Sequence, residues 1–375
     1  MSTLTTDPDG YAIRPFETDD REAFVDLYTE TFGPVDERWF AWKYEANPVS
    51  AEVPILVAEF DETLAGARPC VPFEVAAGGE TALAIRWGDT MVHAEHRRRG
   101  LFTRMTRRMM DRYREGEPAF AFNNPNERSL PGYRKMGGRI ARTMEDYYRI
   151  QDPGPILAAE SEGAVPTTLR RVSGRVAGRY AGVRTRIGSA LYDATGIAVE
   201  RHDSVPSETF VDIYERMRPD RVHARRTRSS YDWRFGNPDW TYTAYVARRD
   251  GVPVAGIVAG RREVDGVATT NLAEVLPLLA TDCNPAAGSA LLSRVLRDSR
   301  DSHLVTHRGR SLPASLLRAY GFVPSDSWPL ARATDEAPLL VYDLSGEGES
   351  AWQVNGLTLL CPDNWLLSSY EQDAR

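Results

Sequence analysis

Apolar residues run or alternate over residues 11–15, 54–60, 64–75 and 82–92, and each stretch predicts a strand. After the first, Glu17-Thr18-Asp19-Asp20 is a helix-start signal, and Phe24, Leu27, Tyr28 and Phe32 then mark one helical face. Residues 39–48 are aromatic and end in a turn at Asn47-Pro48. Beyond residue 92 a tight arginine and glycine turn leads into a second helix, with Leu101, Met105, Met109 and Tyr113 at the helical period, and residues 119–122 read as a further strand. Strands followed by helix, strand and helix predict a mixed α/β sheet.

The pattern then repeats. Phe24-Val25-Asp26-Leu27-Tyr28 returns as Phe210-Val211-Asp212-Ile213-Tyr214. Phe40-Ala41-Trp42-Lys43-Tyr44 with Asn47-Pro48 returns as Tyr231-Asp232-Trp233-Arg234-Phe235 with Asn237-Pro238. The hairpin at 55–66 matches residues 245–256, and Arg128-Ser129-Leu130-Pro131 returns as Arg310-Ser311-Leu312-Pro313. Four matches in one order make the chain two copies of one fold. The expected division is a first domain at 1–151, a linker and basic amphipathic helix at 152–200, a second domain at 201–345, and a docked tail at 346–375, whose Trp352, Leu357 and Trp365 are too apolar for a free end. Within the linker region, Val172, Val176, Tyr180, Val183, Ile187 and Leu191 form an apolar stripe flanked by arginines. Gly174, Gly178 and Gly182, with no Trp, Phe or Lys anchors, favour packing on protein over an anionic membrane surface.

Composition narrows the class. A chain of 375 residues with 42% hydrophobic content has room for two cores, and a formal charge of -7 argues against a nucleic-acid binder. Cys70, Cys283 and Cys361 are far apart and odd in number, which points to a reducing cytoplasm. The six histidines show no clear metal-ligand spacing, so no metal is expected. No apolar run reaches the ~20 residues of a membrane span.

Chemistry concentrates in Asp89-Thr90-Met91-Val92-His93-Ala94-Glu95-His96-Arg97-Arg98-Arg99-Gly100-Leu101-Phe102-Thr103. The first turn of a helix has N–H groups without internal acceptors, and its dipole favours negative charge. Three arginines beside such a turn suit a phosphate or pyrophosphate. Downstream, Asn126, Ser129, Tyr133, Lys135 and Gly137 follow the strand at 119–122 in fixed order. Together the two blocks resemble the GNAT superfamily of acyl-CoA-dependent N-acyltransferases, whose patterns are V-x-P-x-x-(R/Q)-x-x-G-x-(G/A) and N-x-x-(A/S)-x-x-x-Y-x-K-x-G-F. The tandem arrangement resembles the Eis-type acetyltransferases. Phe102 and Gly138 depart from the general pattern.

The resemblance implies two tandem GNAT-like domains, each a mixed, mostly antiparallel sheet flanked by helices, and acetyl-CoA as co-substrate. Backbone N–H groups among Arg97, Arg98, Arg99, Gly100, Leu101, Phe102 and Thr103 would hold the pyrophosphate. The strand edge at Thr90, Met91 and Val92 would pair with the pantetheine arm, and Asn126 and Ser129 would touch the arm or the adenosine side. Tyr133 would protonate the leaving thiolate, and Asp89 is the candidate base for the amine. The acceptor would be a primary amine of a small molecule or peptide, attacking directly in a ternary complex. In the second copy, Pro285 stands where the first arginine should be and the tyrosine is lost in either register, so that copy reads as degenerate. Alternatives are a FemABX-like aminoacyl or longer-chain acyl transferase, which would be expected to lack the pyrophosphate turn, and a non-catalytic acyl-CoA sensor. Neither nucleic acid nor stable membrane insertion is expected; a homo-oligomer stays open.

Overall fold

The computed structural model describes residues 9–114, 118–159, 188, 190–192, 194–327, 338–344 and 352–372, so nearly all of the basic stripe at 167–192 lies outside the described residues. Two compact units emerge, and neither is contiguous in sequence. The first gathers Met1–Thr143, Arg221–Arg225 and Ala337–Trp365; the second gathers Met144–Asp220, Arg226–Glu336 and Leu366–Arg375. Contiguous boundaries at 151, 200 and 345 therefore do not describe the units.

In the first unit, β1 (Tyr11–Pro15), α1 (Arg21–Phe32) and α2 (Glu37–Phe40), which runs on as a π turn at Ala41–Glu45, precede β2 (Ile55–Phe60), β3 (Thr63–Ala77) and β4 (Glu80–Trp87). Then come β5 (Met91–Val92), α3 (Leu101–Arg114), β6 (Phe120–Asn123), α4 (Leu130–Lys135) and β7 (Arg139–Thr143). The second unit repeats the series. It holds β8 (Asp146–Ile150), α5 (Pro153–Ala158), β9 (Ile197–His202), α6 (Ser207–Arg216), α7 (Arg228–Arg234), β11 (Thr241–Arg249), β12 (Val252–Val264), β13 (Val267–Leu276), α8 (Pro285–Asp298), β14 (Leu304–Arg308), α9 (Ala314–Ala319) and β15 (Val323–Pro324). The short β10 (His223–Ala224) returns to the first unit, against β3.

Sheet order shows the kinship. The first sheet runs β1-β2-β3-β4-β6-β16-β7, where β16 is Pro338–Asp343, and the second runs β9-β11-β12-β13-β14-β8-β15. Position by position these are one topology, with a single parallel pair along each path, β4 with β6 and β13 with β14. The sixth place in each sheet is taken by a strand distant in sequence from its neighbours. β16 pairs antiparallel with β6 and β7, and β8 pairs antiparallel with β14 and β15.

Packing follows the periodicities. Leu101, Met105 and Met109 of α3 turn onto the first sheet, meeting Tyr11 and Ala58 at one end and Leu56, Cys70 and Ile85 at the other. Phe24 and Tyr28 of α1 meet Phe40, Tyr44 and Trp39 in an aromatic cluster with ring centroids 4.4–6.3 Å apart. The tail is divided between the units: Trp365 lies against Phe120 and Phe122 in the first, whereas Glu371 joins the second through the fully buried Arg226, which also binds Glu274 at 2.9 Å. All three cysteines are free, and no helix among the described residues is long and apolar enough to cross a membrane.

His307 on β14 is 2% exposed and neither ring nitrogen has a partner among the described residues. Burial lowers its pKa from 6.5 to about 4, against an opposing pull from Asp146. The unfolded chain therefore takes up the proton first as pH falls. Stability is present in full above about pH 6.5 and is lost as the pH drops from there towards 4, by at most about 3 kcal/mol from this group. Urea unfolding at stepped pH should show that decline, and His307→Phe should flatten it.

Candidate active site

Between β4 and β5 the chain bends at Asp89, a non-glycine residue at φ 48°. The sequence suggested one run from 82 to 92, but the strand is broken there. β4 pairs with β6 over residues 84–86 and 120–122. β5 instead lies against Gly66 and Ala67 of β3, and among the described residues it has no second strand partner. Its other edge therefore carries no strand among the described residues, which is the arrangement strand addition requires.

A buried ion pair holds the bend. Lys43, on the π turn, is 3% exposed and its ammonium donates to Asp89 Oδ2 at 2.5 Å. The Tyr44 hydroxyl donates to the same oxygen at 3.1 Å, and the Lys43 ammonium lies 4.8 Å from the Trp39 ring centroid. The carboxylate expected to act as the base is thus engaged by a buried ammonium and a phenol.

After β5 the arginine turn is open. Arg97, Arg98, Arg99 and Gly100 are exposed, Arg98 and Gly100 have φ of 64° and 77°, and a Cβ on Gly100 would meet no atom within 4 Å. Arg97 Nε donates to the Val92 carbonyl at 3.1 Å and so ties the turn to β5. Leu101, Phe102 and Thr103 then open α3, bringing first-turn N–H groups to the same place as the arginines. In the second unit the corresponding helix start is closed: Asn284 Oδ1 accepts from the N–H groups of Ala286 and Ala287, and Pro285 has none to offer.

Asn126 and Ser129 form a local turn. Asn126 Oδ1 accepts from the Ser129 N–H at 3.0 Å and from its hydroxyl at 2.9 Å, and the Ser129 carbonyl accepts from the Tyr133 N–H at 3.1 Å. The motif's Asn and Ser thereby start the short helix that carries Tyr133. The Tyr133 side chain is 4% exposed, with Phe102 edge-on at 4.9 Å, Trp87 at 6.2 Å and Tyr342 at 6.1 Å between ring centroids. Phe102, one departure from the family pattern, is therefore a wall of the tyrosine's pocket. The other, Gly138, is explained by β16: a Cβ there would stand 2.6–2.7 Å from Leu340 and Tyr342.

The structure also adds Arg68 of β3. It is fully buried, its Nη1 donates to Tyr133 Oη at 2.8 Å and to Thr90 Oγ1, and its guanidinium carbon lies 4.9 Å from the Trp87 ring centroid. An arginine inside a strand carries no motif, so nothing in the linear pattern singled it out. Against the reading of unremarkable histidine spacing, His93, Glu95 and His96 bring ligand-capable atoms within 4.8 Å of one another, and the Tyr11 hydroxyl lies 2.8 Å from His96 Nδ1. A depression of about 590 Å³ in the second unit, lined by Tyr192, Val199, Ser293 and Arg297 among others, contains none of the expected site residues.

A mixed sheet that splits after its fourth strand, followed by a basic turn into a helix, is the arrangement that the resemblance to the GNAT superfamily implies. Residues 12–141 match the family model described as "Acetyltransferase (GNAT) domain", so this stretch is a GNAT acetyltransferase domain. The fold is similar to that of three solved structures. For a GCN5-related N-acetyltransferase from Anabaena variabilis the identity is 11%, with 89% of this chain and 73% of that chain covered and a TM-score of 0.58. For Eis1 from Mycobacterium abscessus the identity is 16%, with 89% and 73% covered and a TM-score of 0.51. For a tandem GNAT protein from the clavulanic acid biosynthesis pathway it is 15%, with 90% and 100% covered and a TM-score of 0.54. None of the curated proteins matches the sequence.

Removing one partner of a buried ion pair leaves an uncompensated charge, so Lys43→Met should cost about 3–5 kcal/mol. Chemical denaturation should show this loss, and Lys43→Met with Asp89→Leu should recover most of it. A double variant as unstable as the single one would mean that the pair does not hold the bend.

Proposed function

We propose that the first unit is an acetyl-CoA-dependent N-acetyltransferase that acylates a primary amine of a small molecule or peptide by direct attack in a ternary complex. The observation that carries this reading is the meeting, in one unit, of an open basic turn at the start of α3, a β5 edge with no second strand partner among the described residues, and a buried tyrosine joined to Thr90 through Arg68. The second unit has the same topology with a side-chain-capped helix start.

In this reading, first-turn N–H groups and the arginines 97–99 take the pyrophosphate. The backbone of Thr90, Met91 and Val92 pairs with the pantetheine arm, and an N–H of that edge polarises the thioester carbonyl. The amine nitrogen attacks the carbonyl carbon, the C–S bond breaks, and Tyr133 gives its phenolic proton to the departing sulfur. Asp89 holds the bend between the strands. The GNAT acetyltransferase domain match supports acyl transfer in general, and an amine is the acceptor that such domains generally serve. The open turn favours this over a FemABX-like transferase.

Titration calorimetry should find one acetyl-CoA site per chain. Gly100→Glu combines a side chain at positive φ with a like charge in an anion site, and should weaken acetyl-CoA binding by about 100-fold or more. Unchanged affinity would remove the turn from the cofactor site. Thiol release from acetyl-CoA across a panel of amines, amino acids, polyamines, aminoglycosides and peptides should identify the acceptor. With it, Tyr133→Phe should lower kcat by about 10²–10⁴ with little change in acetyl-CoA affinity; equal loss of both would make Tyr133 structural.

A further inference from the structure

Arg68 is costly where it stands. Its guanidinium is wholly buried, and the donors Nε and Nη2 have no partner among the described residues. Among the described residues no carboxylate pairs with it; its contacts there are the Tyr133 and Thr90 oxygens and the faces of Trp87 and Tyr133. Two further buried polar atoms beside it, Trp87 Nε1 and Tyr342 Oη, also have no partner among the described residues. Burying an unbalanced cation costs several kcal/mol, and costly charges of this kind cluster at functional sites.

The second unit supplies an internal comparison. Gly137 and Gly321 both have positive φ, and the N–H to carbonyl pattern of Tyr133, Gly137 and Gly138 recurs at Leu317, Gly321 and Phe322. Leu317 is thus the counterpart of Tyr133. Counted from the hairpin turns at Asp61-Glu62 and Asp250-Gly251, Ile257 faces Tyr245 just as Arg68 faces Leu56. Where the tyrosine is a leucine, the arginine is an isoleucine; the two polar groups are present together or absent together.

We propose that Arg68 is a positioning residue for acyl transfer: by donating to Tyr133 Oη it turns the phenolic O–H away from itself, towards the leaving sulfur, and stabilises the phenolate that proton transfer leaves behind. The proposal rests on the reading of Tyr133 as the acid. The Arg68 hydrogen bond to oxygen is a neutral-acceptor bond before transfer and a charge-assisted one after it, so it strengthens as the proton moves. The proton lost by the attacking amine later restores the phenol. Because Nη1 also donates to Thr90, the same guanidinium links the acid to the strand edge assigned to the pantetheine arm.

The test is a double-mutant cycle of Arg68→Met and Tyr133→Phe, read as kcat and KM for acetyl-CoA in the thiol-release assay with the fastest amine of the panel. Arg68→Met should lower kcat about 100-fold and leave KM for acetyl-CoA within a few-fold, yet add nothing in the Tyr133→Phe background. Arg68→Lys, which keeps the charge, should recover part of the loss and stands in if the methionine variant fails to fold by circular dichroism. Independent, multiplying effects would overturn the role of Arg68 alone. A Tyr133→Phe enzyme with unchanged kcat, or no thiol release with any amine of the panel, would overturn the acid reading and the Arg68 proposal with it.

Discussion

The ion pair of Lys43 with Asp89 is the interaction on which the site's geometry depends. At φ 48° Asp89 occupies a conformation that L-residues adopt at some cost, and the buried ammonium and the Tyr44 hydroxyl hold its side chain there. From that bend β4 keeps its pairing with β6 while β5 crosses to β3. The strand edge, the basic turn and the start of α3 all follow within a dozen residues. A chain with lysine at only two positions has placed one of them here, on the π turn where backbone geometry departs from the ordinary helix.

The two units show how much of a fold is independent of its chemistry. Their sheets have one strand order, including a sixth strand supplied from a distant part of the chain. Their helix starts differ in a way that decides whether an anion has donors to bind, since Asn284 satisfies in the second unit what the first leaves open. Retained motifs can also be misleading. Gly288 keeps the second copy's G-x-A, but a Cβ there would meet Leu316 and Cys283 at 3.0–3.1 Å, so packing is sufficient to account for it.

Of the expected site, Thr90, Met91, Val92, the turn from Arg97 to Thr103, Asn126, Ser129 and Tyr133 fall in one unit, because each belongs to a local pattern with a backbone consequence. Asp89 stands at the bend before β5, and its side chain is held by Lys43 and Tyr44. Its partner is 46 residues away, as Arg68 is 65 residues from Tyr133. Gly138 departs from the motif because Leu340 and Tyr342 of β16 fill the space where a side chain would stand.

By itself the sequence determined the strands and helices, the doubling of the fold, and the anion-seeking turn, since hydrophobic period, repeats and turn residues are properties of neighbouring positions. Only the tertiary structure decided that β8 and β16 complete sheets remote from them in sequence, that Asp89 is neutralised by Lys43, and that a buried arginine stands against Tyr133. These depend on which side chains meet once the strands pair, and pairing between distant segments is set by the packing of whole faces rather than by any short pattern along the chain.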